Sequence, residues 1–295
     1  MNEVEKFKYA DGRMPIETLY NIYGDFVKAG WTSKIIFDSQ DRVPPAVSFQ
    51  SPMEGDAVWI ISGVHGEEPA GPMAIARGVN DIIKLGKKFP MVVIPVCFPW
   101  GYATDWRYMN SKRWVPDIDL LSVEDTNYFL FDDNGKLRAD PSGSTKEGYL
   151  LSKHIVDLHG THPPLVSLNF HEDNFSRGGY VYAYGEAENK REIASKILYA
   201  MAKNKMPVIA NGKTRFNQKI VNGIIGSVFD SSIDELIVSD ECCFDGKEVE
   251  KPYADMAFVI ETPSKNASLI KRVSTHLVVI KNIDNFFEFE NPQAL

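Results

Sequence analysis

The chain has 295 residues, of which 44% are hydrophobic, 12% aromatic and 24% charged, a composition typical of a globular protein with a sizeable core. Its 40 acidic and 32 basic residues give a formal net charge of −8, which argues against nucleic-acid binding because that needs a dense cationic face. No stretch approaches the roughly 18 uncharged apolar residues of a membrane span, and the N-terminus lacks the apolar segment of a secretory signal.

The cysteine content indicates a protein of a reducing compartment. Only Cys97, Cys242 and Cys243 occur; two of them are adjacent, so a disulfide framework is not expected. Together with the missing signal this predicts a cytoplasmic protein. No repeat, low-complexity tract or Pro/Ser-rich linker marks a boundary, and we expect a single hydrolase domain over residues 1–295.

The first third of the chain alternates between strand and helix patterns. The predicted elements are a helix over 15–29, strands over 33–38, 46–50 and 57–64, and a helix over 67–86. The run at 57–64 is almost wholly apolar, as expected for a strand buried on both faces. His65 then lies where a central strand ends.

The remaining pattern continues this alternation. The predicted elements are strands over 91–98, 164–172, 178–185 and 255–261, and helices over 147–159, 186–204 and Ser264–Phe287, with Ser264 as the cap of the last helix. The stretches 99–146 and 211–255 are unassigned, and long loops in compact domains are often functional. The alternation predicts an α/β fold, a three-layer sandwich with a mixed central β-sheet flanked by helices.

A histidine and a carboxylate lie three residues apart at the end of the 57–64 strand. His65 and Glu68 have the spacing of zinc ligands, because both side chains can converge on one point. A catalytic zinc usually takes three protein ligands, and two histidines with one glutamate form a known set. Alone, the pair could equally be a helix start in which the helix dipole favours the glutamate.

The third ligand must come from another histidine, and the candidates are His154, His159, His162, His171 and His276. His171 is preferred because it ends a predicted central strand, the edge at which α/β sheets place their sites. His159 is the rival, since Asp157-Leu158-His159 resembles the Asp-Leu-His ligand motif of aspartoacylase-like enzymes. However, its predicted position is a helix end.

Two further charged residues suit hydrolysis. A zinc-bound water has a pKa near 7 and still needs a carboxylate to accept its proton. Glu261 ends an apolar strand at the same sheet edge as the histidines and is the predicted base. Arg107 could stabilise the oxyanion, with Arg113 as the alternative. Each could also be structural, Glu261 in an ion pair and Arg107 stacked on Trp106.

In this order the motifs resemble the M14 metallocarboxypeptidase superfamily, which includes murein-peptide amidases and the aspartoacylase and succinylglutamate desuccinylase deacylases. The resemblance spans roughly 55–265 and rests on SGVHGEEPAG, FPWGY, Trp106-Arg107, the strand-end histidine and IETPS. It implies a zinc-carboxypeptidase-like fold, known as phosphorylase/hydrolase-like. Within that fold it implies one Zn²⁺ held by His65, Glu68 and His171, Glu261 as general base and then acid, and Arg107 as carbonyl polariser.

The sequence departs from the family pattern in the segment that should bind the terminal carboxylate of the substrate. Carboxypeptidases carry an Asn-Arg clamp for the terminal carboxylate, whereas this chain reads DIDLLS at 117–122. The family's substrate-covering tyrosine would be Tyr253, the one tyrosine between Tyr199 and Glu261. Arg113 and Tyr253 are therefore the substrate-binding candidates.

These observations predict a zinc-dependent amide hydrolase of the metallocarboxypeptidase or peptide-amidase type, acting on a peptide or an N-acyl amino acid. Two alternatives remain open: an N-acyl amino acid deacylase of the aspartoacylase type, and a metal-retaining pseudoenzyme that acts as a binding protein. No nucleic-acid or membrane partner is expected.

Overall fold

A β-sheet runs through the part of the chain that the computed structural model describes, namely residues 7–107, 109, 129–132, 134–138, 144–230 and 232–287. The strands are β1 (Thr32–Phe37), β2 (Ala46–Gln50), β3 (Ala57–Ser62), β4 (Met91–Ile94), β5 (Pro164–Asp173), β6 (Tyr180–Gly185), β7 (Asn211–Lys213), β8 (Lys219–Val221), β9 (Ile224–Ile225), β10 (Glu241–Phe244), β11 (Lys247–Glu250) and β12 (Met256–Pro263). The helices are α1 (Ile16–Lys28), α2 (Ala70–Leu85), α3 (Pro99–Thr104), α4 (Lys146–Asp157), α5 (Lys190–Lys203), α6 (Ile233–Val238), α7 (Leu269–Lys281) and α8 (Ile283–Phe286), with a 3₁₀ turn at Leu158–Gly160. Arg113 and the 117–122 segment lie outside the described residues.

The sheet is mixed, as predicted. Over the described ranges its ten strands follow the order β1-β2-β4-β3-β5-β12-β6-β9-β8-β7, and β10 and β11 form a separate hairpin. The central strands β4, β3, β5 and β12 are parallel, whereas β1, β2 and β6 join the sheet antiparallel. Every residue of β3 and β4 is buried, which fits a parallel centre covered on both faces.

Helices cover both faces of this sheet. On one face α2 lies so close to β5 that a Cβ on Gly71 would come within 2.9 Å of the Phe170 side chain. On the other face the Asn169 side chain donates a hydrogen bond to Asp234 of α6. Since successive strand residues point to opposite faces, α2 and α6 lie on opposite sides of β5. Helices α1, α7 and α5 extend the α2 layer and α4 contacts α6, which confirms the three-layer α/β prediction.

Most predicted elements are present, and the last helix differs. It begins at Leu269, where the Ser268 hydroxyl accepts a hydrogen bond from Lys271 N–H at 3.3 Å, and not at Ser264. The reason is that β12 continues to Pro263, which pairs with Asp173 on β5. The predicted helix over Ser264–Phe287 is also divided at Asn282 into α7 and α8.

The stretches left unassigned by the sequence contain short elements. Helix α3 begins the 99–146 stretch, and β7 to β11 with α6 occupy much of 211–255. Strands of two to four residues carry too few positions for an apolar period to appear. Among the helices of the described residues, none combines the length and apolar character needed to cross a membrane.

Candidate metal centre

Three parallel strands bring the predicted site residues to one edge of the sheet. His65 follows the carboxyl end of β3, His171 lies near the end of β5, and Glu261 lies near the end of β12. In the sheet register His171 and Glu261 are direct neighbours, and adjacent strands lie about 4.8 Å apart. The carboxyl edge of the parallel strands therefore gathers these side chains as the sequence predicts.

His65, Glu68 and His171 converge to form a compact donor cluster. His65 Nδ1 lies 2.7 Å from Glu68 Oε1, and His171 Nδ1 lies 3.0 Å from Glu68 Oε2. One donor atom from each residue lies within 4.8 Å of the other two, and the imidazole centroids are 4.9 Å apart at 75°. Within the described residues this is the one such group of three or more His, Cys, Asp or Glu side chains. Two imidazoles and a carboxylate that face one point can hold a divalent metal ion.

The His65–Glu68 pair lies on a tight turn, because α2 begins only at Ala70. The N–H of Glu68 donates to the carbonyl of His65 at 3.2 Å. Gly66 is essential to this turn, since a Cβ there would lie 2.1 Å from the carbonyl carbon of Gly101. Helix α3, which leads into Arg107, thus packs directly on the turn that carries two candidate ligands.

Burial raises the pKa of both site carboxylates, whereas the neighbouring charges act on them in opposite directions. Burial favours the neutral form of Glu68, but the facing His65 and His171 imidazoles outweigh it and hold the Glu68 pKa well below its usual range. Burial, followed by repulsion from Glu68 and Asp173, raises the pKa of Glu261 well above its usual range. Glu261 Oε2 is buried, and no hydrogen-bond partner for it occurs in the described part of the chain. The Glu68 pKa is thereby shifted toward the ionised form, and the Glu261 pKa toward the protonated form.

Arg107 lies in the site, against the candidate ligands. One guanidinium nitrogen donates to Glu67 Oε1 at 2.7 Å and to Glu68 Oε1 at 3.1 Å, and the other lies 3.2 Å from His65 Nε2. Burial raises the pKa of Glu67, and the charge of Arg107 opposes that rise. The guanidinium is one-quarter exposed and lines the cavity described below.

A buried ion pair between Glu172 and Arg272 adjoins the candidate ligands. No pattern in the sequence predicted it. The Glu172 N–H donates to Glu68 Oε2 at 3.0 Å, and Glu172 Oε2 accepts the N–H of Ala70 at 2.8 Å. Its other carboxylate oxygen pairs with Arg272 of α7. In sequence, Glu172 looks like an ordinary strand-end residue and Arg272 an ordinary helix residue. The sequence offers one signal for Glu172. It directly follows His171 on a strand, so its side chain must face the opposite side of the sheet.

A cavity of about 380 Å³ opens beside the cluster. Among the described residues it is lined by the candidate ligands, Glu261, Arg107, Asn169, Asp173, Tyr180, Tyr182, Tyr184, Arg215, Phe216, Gln218, Asp230 and Asp234, with others. The three tyrosines alternate along β6, so they share one face of the sheet. About half of this lining comes from the 211–255 stretch and β6, and none of these lining residues is among the site residues predicted from the sequence.

Three of the other histidines, His154, His159 and His162, and Tyr253 lie away from this cluster. The backbone of His159 lies on the 3₁₀ turn before β5, which places it at the opposite edge of the sheet from His171, about 20 Å along the strand. Tyr253 precedes β12 and so lies at that same opposite edge, 51% exposed, and is not among the described residues that line the cavity. His154 and His162 are buried and contact Ser48 and Ser51, not the cluster.

The fold resembles solved structures at low sequence identity. A candidate metallopeptidase from Shewanella amazonensis superposes with a TM-score of 0.70 and 23% identity, over 92% of each chain. Carboxypeptidase A from Helicoverpa armigera gives 0.58 and 11%, over 94% of this chain and 73% of that one. Bovine thrombin-activatable fibrinolysis inhibitor gives 0.56 and 13%, over 94% and 98%. No protein-family model matches the sequence, and a search of curated proteins finds no match. The chain therefore shares the fold of metallopeptidases and metallocarboxypeptidases.

Proposed function

We propose that the chain is a metal-dependent hydrolase of amide bonds, of the metallocarboxypeptidase or peptide-amidase type. The main support for the proposal is the convergence of His65, Glu68 and His171 at the edge of the sheet and on the wall of a cavity. Beside them lies Glu261, one oxygen of which is buried with no hydrogen-bond partner among the described residues. The fold shared with carboxypeptidases supports it. We assign His65, Glu68 and His171 as ligands of one zinc ion.

The chemistry of the three candidate ligands fits a zinc ion. Two imidazoles and one carboxylate are a set that leaves a coordination position open, as catalytic sites require. Both oxygens of Glu68 are directed at the imidazoles, and the Glu172 N–H fixes one of these oxygens from behind. Such outer contacts orient ligands in metal sites. When bound, the ion would supply Lewis-acid polarisation of the substrate carbonyl.

The protein's own groups provide the proton transfers and part of the charge stabilisation. Glu261 accepts a proton from the water that attacks the amide carbonyl and then delivers it to the departing amine nitrogen. Burial, followed by repulsion from Glu68 and Asp173, raises the pKa of Glu261, and a more basic carboxylate is the stronger acceptor for the proton of that water. Arg107 lies on the cavity wall with a partly exposed guanidinium and stabilises the negative charge that develops on the carbonyl oxygen.

The substrate is proposed to be a peptide or an N-acyl amino acid that enters the cavity with one end. The aromatic wall of Tyr180, Tyr182 and Tyr184 and the volume of about 380 Å³ suit one amino-acid side chain with its backbone. This supports the peptidase type over hydrolysis of a large folded substrate. The deacylase alternative differs in which side of the amide bond occupies the cavity.

Hydrolysis of a library of N-blocked dipeptides and N-acyl amino acids by the zinc-loaded protein tests this function. We expect turnover to fall about a thousandfold in Glu261→Gln, as for loss of a general base. Glu188→Gln is the matched control, since Glu188 is exposed beyond the opposite end of β6 from Tyr180. Equal rates in Glu261→Gln and wild type would contradict the proposal, whereas exclusive turnover of N-acyl amino acids would favour the deacylase.

A further inference from the structure

The floor of the cavity contains two buried hydrogen-bond acceptors that nothing satisfies. Asn169 uses its amide N–H to donate to Asp234 Oδ2 at 2.8 Å. This leaves Asn169 Oδ1 and Asp234 Oδ1, and neither has a hydrogen-bond partner within the described part of the chain. The two residues are only 1% and 2% exposed, and both line the cavity. Buried polar groups are nearly always satisfied, so two adjacent unpaired acceptors indicate a missing donor.

The walls of this floor also offer acceptors. Tyr184 donates its hydroxyl proton to Asp230 Oδ2 at 2.6 Å, and Tyr182 donates to Gln218 Oε1 at 2.7 Å. A phenol has one proton, so each hydroxyl can face the cavity only as an acceptor. The lining therefore suits a group that donates several hydrogen bonds and accepts none.

Asp234 has no arginine or lysine ion-pair partner within the described residues. Its neighbour Glu235 forms an ion pair with Arg138 at 2.5 Å, but no such pair involves Asp234 in the described ranges. Arg107, on the cavity wall, pairs with Glu67 and Glu68. Arg215 places its guanidinium over the rings of Phe216 and Phe175, at 4.6 and 5.1 Å.

The sheet register shows that this floor lies about one side-chain length below the row of candidate site residues. Asn169, Val259 and Tyr182 form one row across β5, β12 and β6. His171, Glu261 and Tyr180 form the row two residues further along each strand or its antiparallel partner. Two residues span about 7 Å along a strand. A side chain next to the hydrolysed bond can therefore reach Asn169 and Asp234 if it is about as long as lysine or arginine.

We propose that Asn169 and Asp234, with Asp230 beside them, form a subsite for the cationic side chain of the substrate, an ammonium or a guanidinium. The inference rests on the proposed function, because it names the substrate class of the same cavity. An ammonium brings three donors and a guanidinium five, and neither accepts a hydrogen bond. The tyrosine faces of the wall also attract a cation. Specificity of this kind discriminates strongly, because a neutral side chain leaves the buried acceptors unpaired.

Binding of L-lysine and L-norleucine to the zinc-loaded protein, measured by titration calorimetry, tests the subsite. The two probes share a side chain of the same length up to the terminal group, and norleucine lacks the ammonium. We expect lysine to bind at least about tenfold more tightly, the factor of one charge-assisted hydrogen bond. Asp234→Asn should reduce the preference to about threefold or less, while Asp240→Asn, at an exposed carboxylate outside the cavity lining, should leave it unchanged.

A second variant keeps the test decisive if Asp234→Asn does not fold. Asp230→Asn retains an oxygen for the Tyr184 hydroxyl and removes one charge, so lysine should weaken about threefold and norleucine not at all. Equal binding of the two probes, no binding of either, or an undiminished preference in both variants would overturn the subsite. Neither probe contains an amide bond, so the result is independent of turnover. Lysine preference without any peptide hydrolysis would leave the subsite standing and refute the proposed function.

Discussion

Removal of Arg272 should strongly destabilise the protein, because this arginine neutralises Glu172 directly behind the candidate metal centre. The Glu172 side chain is fully buried, and that of Arg272 is only 11% exposed. Burial lowers the pKa of Arg272 to about 10, so the guanidinium remains charged at neutral pH. In Arg272→Met the unbranched side chain still fills the helix surface, and the carboxylate loses its only ion-pair partner among the described residues.

The size of the stability loss in Arg272→Met depends on which contacts Glu172 keeps. Breaking a buried ion pair from one side costs about 3–5 kcal/mol, because a charge is left uncompensated. Glu172 keeps the hydrogen bond from Ala70 N–H, so we expect the lower end, about 3 kcal/mol. Urea denaturation of wild type and Arg272→Met at pH 7, compared through their midpoints, measures this loss.

The double variant Arg272→Met/Glu172→Gln separates a stranded charge from lost packing. The neutral amide can still accept from Ala70 N–H, so we expect it to recover about half of the loss or more. A loss below about 1 kcal/mol in Arg272→Met, or a double variant no more stable than the single one, would refute the reasoning.

Two further predictions concern pH and steric fit. Burial, reinforced by the charge of Lys34, lowers the pKa of His154 to about 4, so the unfolded chain binds the extra proton. The stability from neutral His154 is complete above about pH 6.5 and is lost as pH falls toward 4, by about 3 kcal/mol, and His154→Gln should flatten this slope in urea titrations; an unchanged slope would contradict it. In Gly66→Ala the new Cβ would lie 2.1 Å from a backbone carbon of Gly101, so we expect a stability loss of about 2 kcal/mol and weaker metal binding, whereas Gly226→Ala, with open space around it, should change neither. Wild-type stability and metal binding in Gly66→Ala would be evidence against the close packing of the Gly66 turn on Gly101.

The metal-site candidates could be found from sequence because each one interrupts or ends an apolar run. His65, His171 and Glu261 are polar groups placed at the ends of strands that are otherwise buried, and parallel strands share their carboxyl edge. The alternation of strands and helices implied that these strands share one sheet. Their order in the sheet, with β3, β5 and β12 as neighbours, was not predicted. The three-layer architecture followed from the same pattern.

The remaining features depend on contacts distant in sequence. Glu172 and Arg272 are 100 positions apart, and neither carries a local pattern that indicates the other. Ser264 and Ser268 are both acceptable helix caps, and the extension of β12 to Pro263 decides between them. Tyr253 precedes β12, so chain direction alone places it at the wrong edge of the sheet. The predicted strand over 255–261 already implied this edge, because Tyr253 precedes it and Glu261 ends it.

The cavity floor was missed for a related reason. Asp230 and Asp234 lie in that same stretch, around a helix of only six residues. Asn169 has the same strand face as His171, two positions before it, and this spacing was available in the sequence. Its significance appears only when Asp234, distant in sequence, packs against it.

Metal content by elemental analysis after zinc loading and desalting tests the central claim most directly. Wild type should retain about one zinc ion per chain, His65→Ala and His171→Ala should lose it, and His159→Ala should retain it. Circular dichroism of each variant confirms that loss of metal does not reflect loss of fold. Retention of the metal in His171→Ala, or its loss in His159→Ala alone, would contradict the assignment of His65, Glu68 and His171 as the metal ligands.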